Sequence, residues 1–352
     1  MVKWRILATR SALSYNVNRP GTLRITLVAL VCPLIMLSSA CCRPLYRPPT
    51  TMSENLEQVP KVLTDIDETL RAVLSKLGEM QSADSIQGPE LSSYSSPRVV
   101  EHTTSKGDVL AIKRINRRQH LTEGDMMHYA ATHGVLAPLV RGVYEVLVGD
   151  ECLARVMVSD RVPGVPLVDV WQDMTAADQA AVKDQLRVQL ARMRACIEPA
   201  IGRMGGKPTR NVYDGPLGTA FGPFADEEAF DSWCLARVWR IPLVRNVWKW
   251  LLSSEREKRR GGGGDAGAGR FVLTHGDLTP RNIMVQGNVV TGIIDWELSG
   301  FFPEYAEYAF ARLCHAHEEW WIPVLEELLP MCSKRRLEFT ALVEEGMAKA
   351  VL

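Results

Sequence analysis

The sequence predicts an α+β protein of two lobes, a small β-rich one followed by a larger, mainly helical one. Three observations lead there. Between residues 98 and 163, β-branched runs alternate with turn residues around one helical stretch. After Pro163-Gly164 the apolar residues recur mostly at helical steps. Within that second part, Ile283 to Gln286 and Val289 to Ile294 flank Gly287-Asn288, the pattern of a β-hairpin with a tight turn.

At 352 residues the chain can build one large domain or two lobes with a generous core. Hydrophobic residues make up 46% and charged residues 23%, an ordinary globular composition. Its 41 basic and 41 acidic residues cancel, so bulk charge gives no reason to expect a nucleic-acid partner. The balance hides an asymmetry, because no Asp or Glu precedes Glu54 while Lys3, Arg5, Arg10, Arg19, Arg24, Arg43 and Arg47 do. In this leader, residues 1–51, Ile25 to Leu37 is apolar, broken by Pro33 and followed by Ser38-Ser39-Ala40-Cys41-Cys42. The run is shorter than the roughly 20 residues that a membrane-spanning helix needs. It has the size of a signal-peptide core behind a long basic lead, and Arg and Ser without acids also fit a mitochondrial presequence. A third reading takes Met52 as the working start and the leader as a spurious extension. The eight cysteines contain no C-x-x-C pair, which argues against a zinc or redox motif and leaves reduced thiols as the expectation.

In residues 52–97, Leu56, Val59, Val62, Leu63, Ile66, Leu70, Val73 and Leu77 recur at helical steps, predicting a polar helix with a narrow apolar stripe. Ser82 to Pro97 is a Ser-rich linker. The first lobe, 98–163, opens with strands over Val99 to His102 and Gly107 to Ile115. A helix is expected over Leu121 to His133, then a hairpin of Gly142 to Val148 and Glu151 to Val162 about Gly149-Asp150. In the second lobe, 164–352, Thr175-Ala176-Ala177-Asp178 is a capping-box start. Leu186, Leu190, Met193 and Ile197 are expected to form the apolar face of the helix it opens. The tetraglycine Gly261 to Gly264 lacks the G-K-[ST] ending of a phosphate loop and is expected to be a flexible insertion.

The chemistry concentrates in 274–283, Thr274-His275-Gly276-Asp277-Leu278-Thr279-Pro280-Arg281-Asn282-Ile283, and in 293–297, Ile293-Ile294-Asp295-Trp296-Glu297. These segments supply a carboxylate, an amide and a second carboxylate at fixed separations, and the hairpin between them folds Asp295 back beside Asp277 and Asn282. Phosphoryl transfer from a nucleotide needs that set: a carboxylate to orient and deprotonate the attacking hydroxyl, and an amide plus a carboxylate for Mg²⁺. The spacing H-x-D-x-x-x-x-N with a later Asp follows the catalytic logic of protein kinases.

The wording H-G-D-L-x-P-R-N-I followed by I-I-D-W-E resembles the aminoglycoside phosphotransferase family, in particular its fungal-type branch. Gly276 and Trp296-Glu297 point away from protein kinases, which usually carry Arg and F-G there. The resemblance spans roughly residues 95 to 345, with residues 271 to 310 its specific part. It implies a two-lobed protein-kinase-like fold and transfer of the γ-phosphate of ATP, with GTP as alternative donor, to a hydroxyl of a small molecule. On this reading Asp277 is catalytic, and Arg281 either steadies the transferring phosphoryl charge or pairs with Asp277. Asn282 and Asp295 bind Mg²⁺. Lys113, ending Leu110-Ala111-Ile112-Lys113, resembles the phosphate-binding lysine of V-A-I-K. Glu123 is its expected partner, with Glu101 and Asp125 as rivals. Met157 to Gly164 resembles the adenine-binding hinge, with Asp160 at its acidic position. Ile201 to Pro208 and Phe221 to Phe224 are similar to the family's acceptor-side loop.

Several residues carry competing readings. His275 is expected to brace the loop backbone rather than act as a base. Glu297, Glu304 and Glu307 either line an acceptor pocket or, for the last two, stand as solvated helix charges. His315-Ala316-His317 is too small a set for a metal site. Between Val99 and Val109 the only glycine is Gly107, so a glycine-rich phosphate loop is missing. That absence and the altered hinge favour the rival reading, a non-catalytic nucleotide-binding pseudokinase or scaffold; the intact Asp277, Asn282 and Asp295 oppose it. Basic residues ahead of the apolar run of the leader would export the chain beyond it and part the domain from ATP. A cytoplasmic place is therefore expected, with a mitochondrial or membrane-associated one the alternative and membrane contact confined to a retained leader.

Overall fold

A computed structural model describes residues 6–8, 11–13, 25–29, 99–104, 107–115, 123–148, 151–213, 219–238, 242–261, 270–313 and 318–349. The helix and linker expected over 52–97, Cys41-Cys42, the turn at 149–150, most of the glycine-rich insertion (262–269) and His315-Ala316-His317 lie outside the described residues. Chain contacts divide the molecule into two units. One is Met1–Arg117 with Val140–Arg161, and the other is Arg118–Leu139 with Val162–Leu352.

In the first unit the β-branched runs form one five-stranded sheet in the order Ile25–Ala29, Val140–Val148, Glu151–Asp160, Val109–Ile115, Val99–Thr103. Every neighbouring pair in it is antiparallel. The first strand comes from the start of the leader's apolar run, with Ile25 opposite Val148. The period of two buries Leu110 and Ile112 together on one face. Where the sequence lacks a glycine-rich loop, Thr104 N donates to Asp108 O at 2.8 Å and Asp108 N to Thr104 Oγ1 at 3.0 Å.

All seven helices described among these residues lie in the second unit. Glu123–Thr132, flanked in sequence by strands of the first unit, packs on the turn Trp296–Leu298. Helix Ala176–Ala195 begins as predicted: the Thr175 hydroxyl accepts from Asp178 N at 3.2 Å and donates to Asp178 Oδ2 at 2.7 Å. Leu186, Leu190 and Met193 are buried, and burying each side chain contributes about 1.5–3 kcal/mol to holding the helix on the strand Phe271–Thr274. Ile197 does not join that face. The helix ends at Ala195, and Ile197 opens a two-residue strand opposite Val272, where it stays 40% exposed.

Two three-stranded sheets position the chemistry. Phe271–Thr274, buried at all four positions, runs between Gly300–Phe302 and Ile197–Glu198. The predicted hairpin forms from Ile283–Gln286 and Val289–Ile293, with Ile283 opposite Ile293, and Val165–Pro166 adds a third strand. Gly164 (φ 98°) lets that strand approach, since a Cβ there would lie 2.1 Å from Val285 O. The hairpin tip is tied to the capped helix: Asn288 Nδ2 donates to Asp178 Oδ1 at 2.7 Å and Gln185 Nε2 to Asn288 O at 2.8 Å.

Farther from the hairpin, Asp231 is buried between Arg336 (2.6 Å) and Arg256, which join helices Glu227–Val238, Pro242–Gly261 and Lys334–Lys349. Burial pushes the Asp231 carboxyl up and the two guanidiniums oppose it. Among the described residues no helix is long and apolar enough to cross a membrane. The architecture is α+β, as the sequence predicts, with a β-rich unit and a mainly helical one.

Candidate active site

The buried strand Phe271–Thr274 delivers His275-Gly276-Asp277 to its end. Gly276 has φ 84°, and a Cβ there would stand 2.6 Å from Leu298 O, so the loop and the turn after Asp295 meet backbone to backbone. Two amides of this loop find one acceptor: the Glu307 carboxylate takes His275 N at 2.6 Å and Gly276 N at 3.0 Å. The His275 ring spans the loop and the hairpin. Its Nδ1 accepts from Asp277 N at 3.3 Å, which assigns the proton to Nε2, 2.9 Å from Ile294 O. With both nitrogens engaged and no exposure, His275 braces the backbone of the loop.

Asp277 and Asn282 are locked together. Asn282 Nδ2 donates to Asp277 O and to Asp277 Oδ2, each at 2.9 Å, across the tight turn Pro280–Asn282 that also carries the half-buried Arg281. With Nδ2 committed to Asp277, the amide oxygen Oδ1 faces the other way. Asn282 O accepts from Ile294 N at 2.8 Å, so Asp295 comes directly after a residue bonded to Asn282. Trp321 Nε1 fixes the outer side of the loop through Leu278 O at 3.0 Å. Among the described residues Asp295 alone, apart from glycines, has a positive φ, 65°. Asp tolerates that left-handed region better than most residues, at a cost in backbone strain.

An amide oxygen and a half-buried carboxylate fit Mg²⁺, a hard cation that takes few protein ligands and completes its shell with water and phosphate oxygens. Among the described residues no group of three or more His, Cys, Asp or Glu could hold a metal without such help.

The remaining candidates divide between the units. Lys113 and Asp160 lie in the first. Lys113 is 8% exposed on Val109–Ile115, aligned with Val99 on one side and Met157 on the other. Asp160 ends its strand in an ion pair with Arg141 at 2.5 Å. In the second unit Glu123 is buried as the first residue of its helix. Both rivals of Glu123 are engaged elsewhere, Glu101 with Arg161 at 2.7 Å and Asp125 with Lys207 at 2.9 Å.

Glu307 corrects the sequence reading, which offers it as a pocket lining or a solvated charge. It is buried because two loop amides need an acceptor thirty-two and thirty-one residues away in sequence, and no local pattern signals that. Glu304 is 61% exposed beside Arg194, a solvated charge, and Glu297 pairs with Arg210. Burial raises the Glu307 carboxyl above its ordinary 4.5, against the pull of His275 and the two amides. The folded form therefore keeps its proton to higher pH than the unfolded chain. Its favourable contribution is complete below pH 4.5 and fades as pH rises through the raised value. Glu307→Gln is expected to remove that fade and, with one acceptor oxygen for two amides, to destabilise by about 1–3 kcal/mol at neutral pH. Urea unfolding of both proteins at several pH values measures this.

The described residues form a β-rich unit and a mainly helical one, and the second carries the strand, loop and hairpin that the sequence predicts. The chain belongs to the phosphotransferase enzyme family (APH), whose model matches residues 88–329, well over half of the chain. Among solved structures, a thermostable mutant of aminoglycoside phosphotransferase APH(4)-Ia in its apo form is 16% identical, with TM-score 0.45, over 78% of this chain and 92% of that one. The macrolide 2′-phosphotransferase of Brachybacterium faecium is 16% identical, with TM-score 0.41, over 72% of this chain and 82% of that one. Likenesses of this strength add nothing to the family assignment. No curated protein matches the chain.

Proposed function

We propose that the protein transfers the γ-phosphate of ATP, with GTP as alternative donor, to a hydroxyl of a small molecule. One observation carries the reading: Asp277, Asn282 and the backbone leading into Asp295 form a single hydrogen-bonded unit. In it Asn282 orients the Asp277 carboxylate, which receives the proton of the attacking hydroxyl. Asn282 Oδ1 and the Asp295 carboxylate are the groups that would hold Mg²⁺. When bound, the ion neutralises charge on the β- and γ-phosphates. Lys113 serves the phosphates of the donor, and Arg281 steadies the transferring group. Most of the acceleration then comes from positioning and charge neutralisation rather than covalent chemistry.

The test is a thermal shift of the whole protein with ATP, in the presence and absence of Mg²⁺, and then turnover on a panel of hydroxyl metabolites. The expected result is Mg²⁺-dependent stabilisation and ADP release that requires an acceptor. Stabilisation with no transfer to any acceptor would favour a non-catalytic nucleotide-binding protein, and no stabilisation at all would remove nucleotide from the reading.

A further inference from the structure

Asp295 holds φ 65° and ψ 64°, a conformation that costs an ordinary residue about 1–2 kcal/mol and persists where its surroundings over-determine it. Those surroundings are the carbonyls of the turn Trp296–Ser299, and each has a neighbour that fixes it. Trp296 O accepts from Ser299 N at 3.2 Å and Ser299 Oγ at 2.6 Å. Leu298 O lies against Gly276. The other two, Glu297 O and Ser299 O, accept from one side chain: Arg203 Nε donates to Ser299 O at 3.0 Å and Arg203 Nη2 to Glu297 O. Thr209 Oγ1 donates a second bond to Ser299 O, at 2.8 Å.

We propose that Arg203 is a positioning residue that holds the Asp295 carboxylate in its metal-binding orientation by fixing the turn Trp296–Ser299 from behind. Arg203 is 4% exposed and Ser299 is fully buried, so a cation has been placed where an apolar side chain of the same volume would need no desolvation. Burial lowers the guanidinium to about 10, opposed by the charges of Glu123, Glu297 and Asp125, and it stays charged at neutral pH. Its planar fork spans two carbonyls two residues apart, which a single ammonium does not do in fixed geometry.

The strap carrying Arg203 is itself anchored. Gly202 N donates to Phe301 O at 3.2 Å and Phe301 N to Gly202 O at 2.6 Å, while Arg203 N donates to Lys207 O at 2.7 Å. Lys207 pairs with Asp125 on helix Glu123–Thr132, and Arg210 pairs with Glu297. The turn after Asp295 is thereby tied to a fixed backbone on one side and to that helix on the other.

The inference rests on Asp295 being a metal ligand, as proposed above. It is tested by titrating Mg²⁺ against the thermal shift given by a non-hydrolysable ATP analogue, on wild type, Arg203→Met and Arg203→Lys. Arg203→Met is expected to raise the half-maximal Mg²⁺ concentration roughly tenfold, the size of effect seen when groups orienting a metal ligand are removed. The shift by the analogue without metal should stay as in wild type, and Arg203→Lys should recover part of the Mg²⁺ response. Thr209→Val, which removes one bond to the same carbonyl and no charge, should move the midpoint in the same direction by less. It decides the matter if Arg203→Met does not fold. A lower melting temperature with an unchanged Mg²⁺ midpoint in the folded variants overturns the proposal and leaves Arg203 a packing residue. A wild type with no Mg²⁺ response at all overturns the proposed function instead, and this inference with it.

Discussion

Asp277→Asn is expected to lower the rate of phosphoryl transfer by about 10²–10⁴-fold, the range that a positioned acid–base group contributes, with MgATP affinity nearly unchanged. On the proposed reading the carboxylate serves the acceptor hydroxyl, so its loss should appear in kcat far more than in nucleotide binding. The substitution is also one the loop can absorb. Asn282 Nδ2 donates to Asp277 O and Oδ2, and an Asn at 277 turned the right way still offers an oxygen there. The variant should therefore fold and melt like the wild type. Loss of nucleotide binding in step with the loss of rate would make Asp277 a nucleotide ligand or a structural residue.

Asp295→Asn is expected to abolish the Mg²⁺-dependent part of nucleotide stabilisation and, with it, turnover. Asn is chosen over Ala because Asn tolerates φ 65° at least as well as Asp. The backbone then stays in place while the charge goes. Two hard oxygens from the chain become one neutral amide oxygen at 282 and one at 295, too little for a cation that gives up water reluctantly. An unchanged Mg²⁺ titration would remove Asp295 from the metal site.

Much of this is legible from local chemistry. Gly287-Asn288 between two β-branched runs marks the hairpin, and Thr175 with Asp178 marks a helix start, because both signals act within a few residues. Asp277, Asn282 and Asp295 are legible for the same reason: their spacing needs only a loop and a hairpin to make them neighbours. What escapes is long-range. The acceptor for the His275 and Gly276 amides is a glutamate on a later helix, and a buried carboxylate looks like a surface one in sequence. Arg203 donates to carbonyls ninety-four and ninety-six residues away, and carbonyls carry no sequence signature at all. Ile197 departs from its expected place because the helical period runs past the helix end into a short strand, where a different period governs exposure.

A single-turnover reaction with γ-labelled ATP, Mg²⁺ and an acceptor found in the panel tests the central claim most directly, run side by side on wild type and Asp277→Asn. The label is expected on a hydroxyl oxygen of the acceptor in the wild type, one ADP formed per phosphoryl group transferred, and to remain in protein-bound ATP in the variant. Label released as inorganic phosphate in the wild type, or transfer by Asp277→Asn at the wild-type rate, would contradict it.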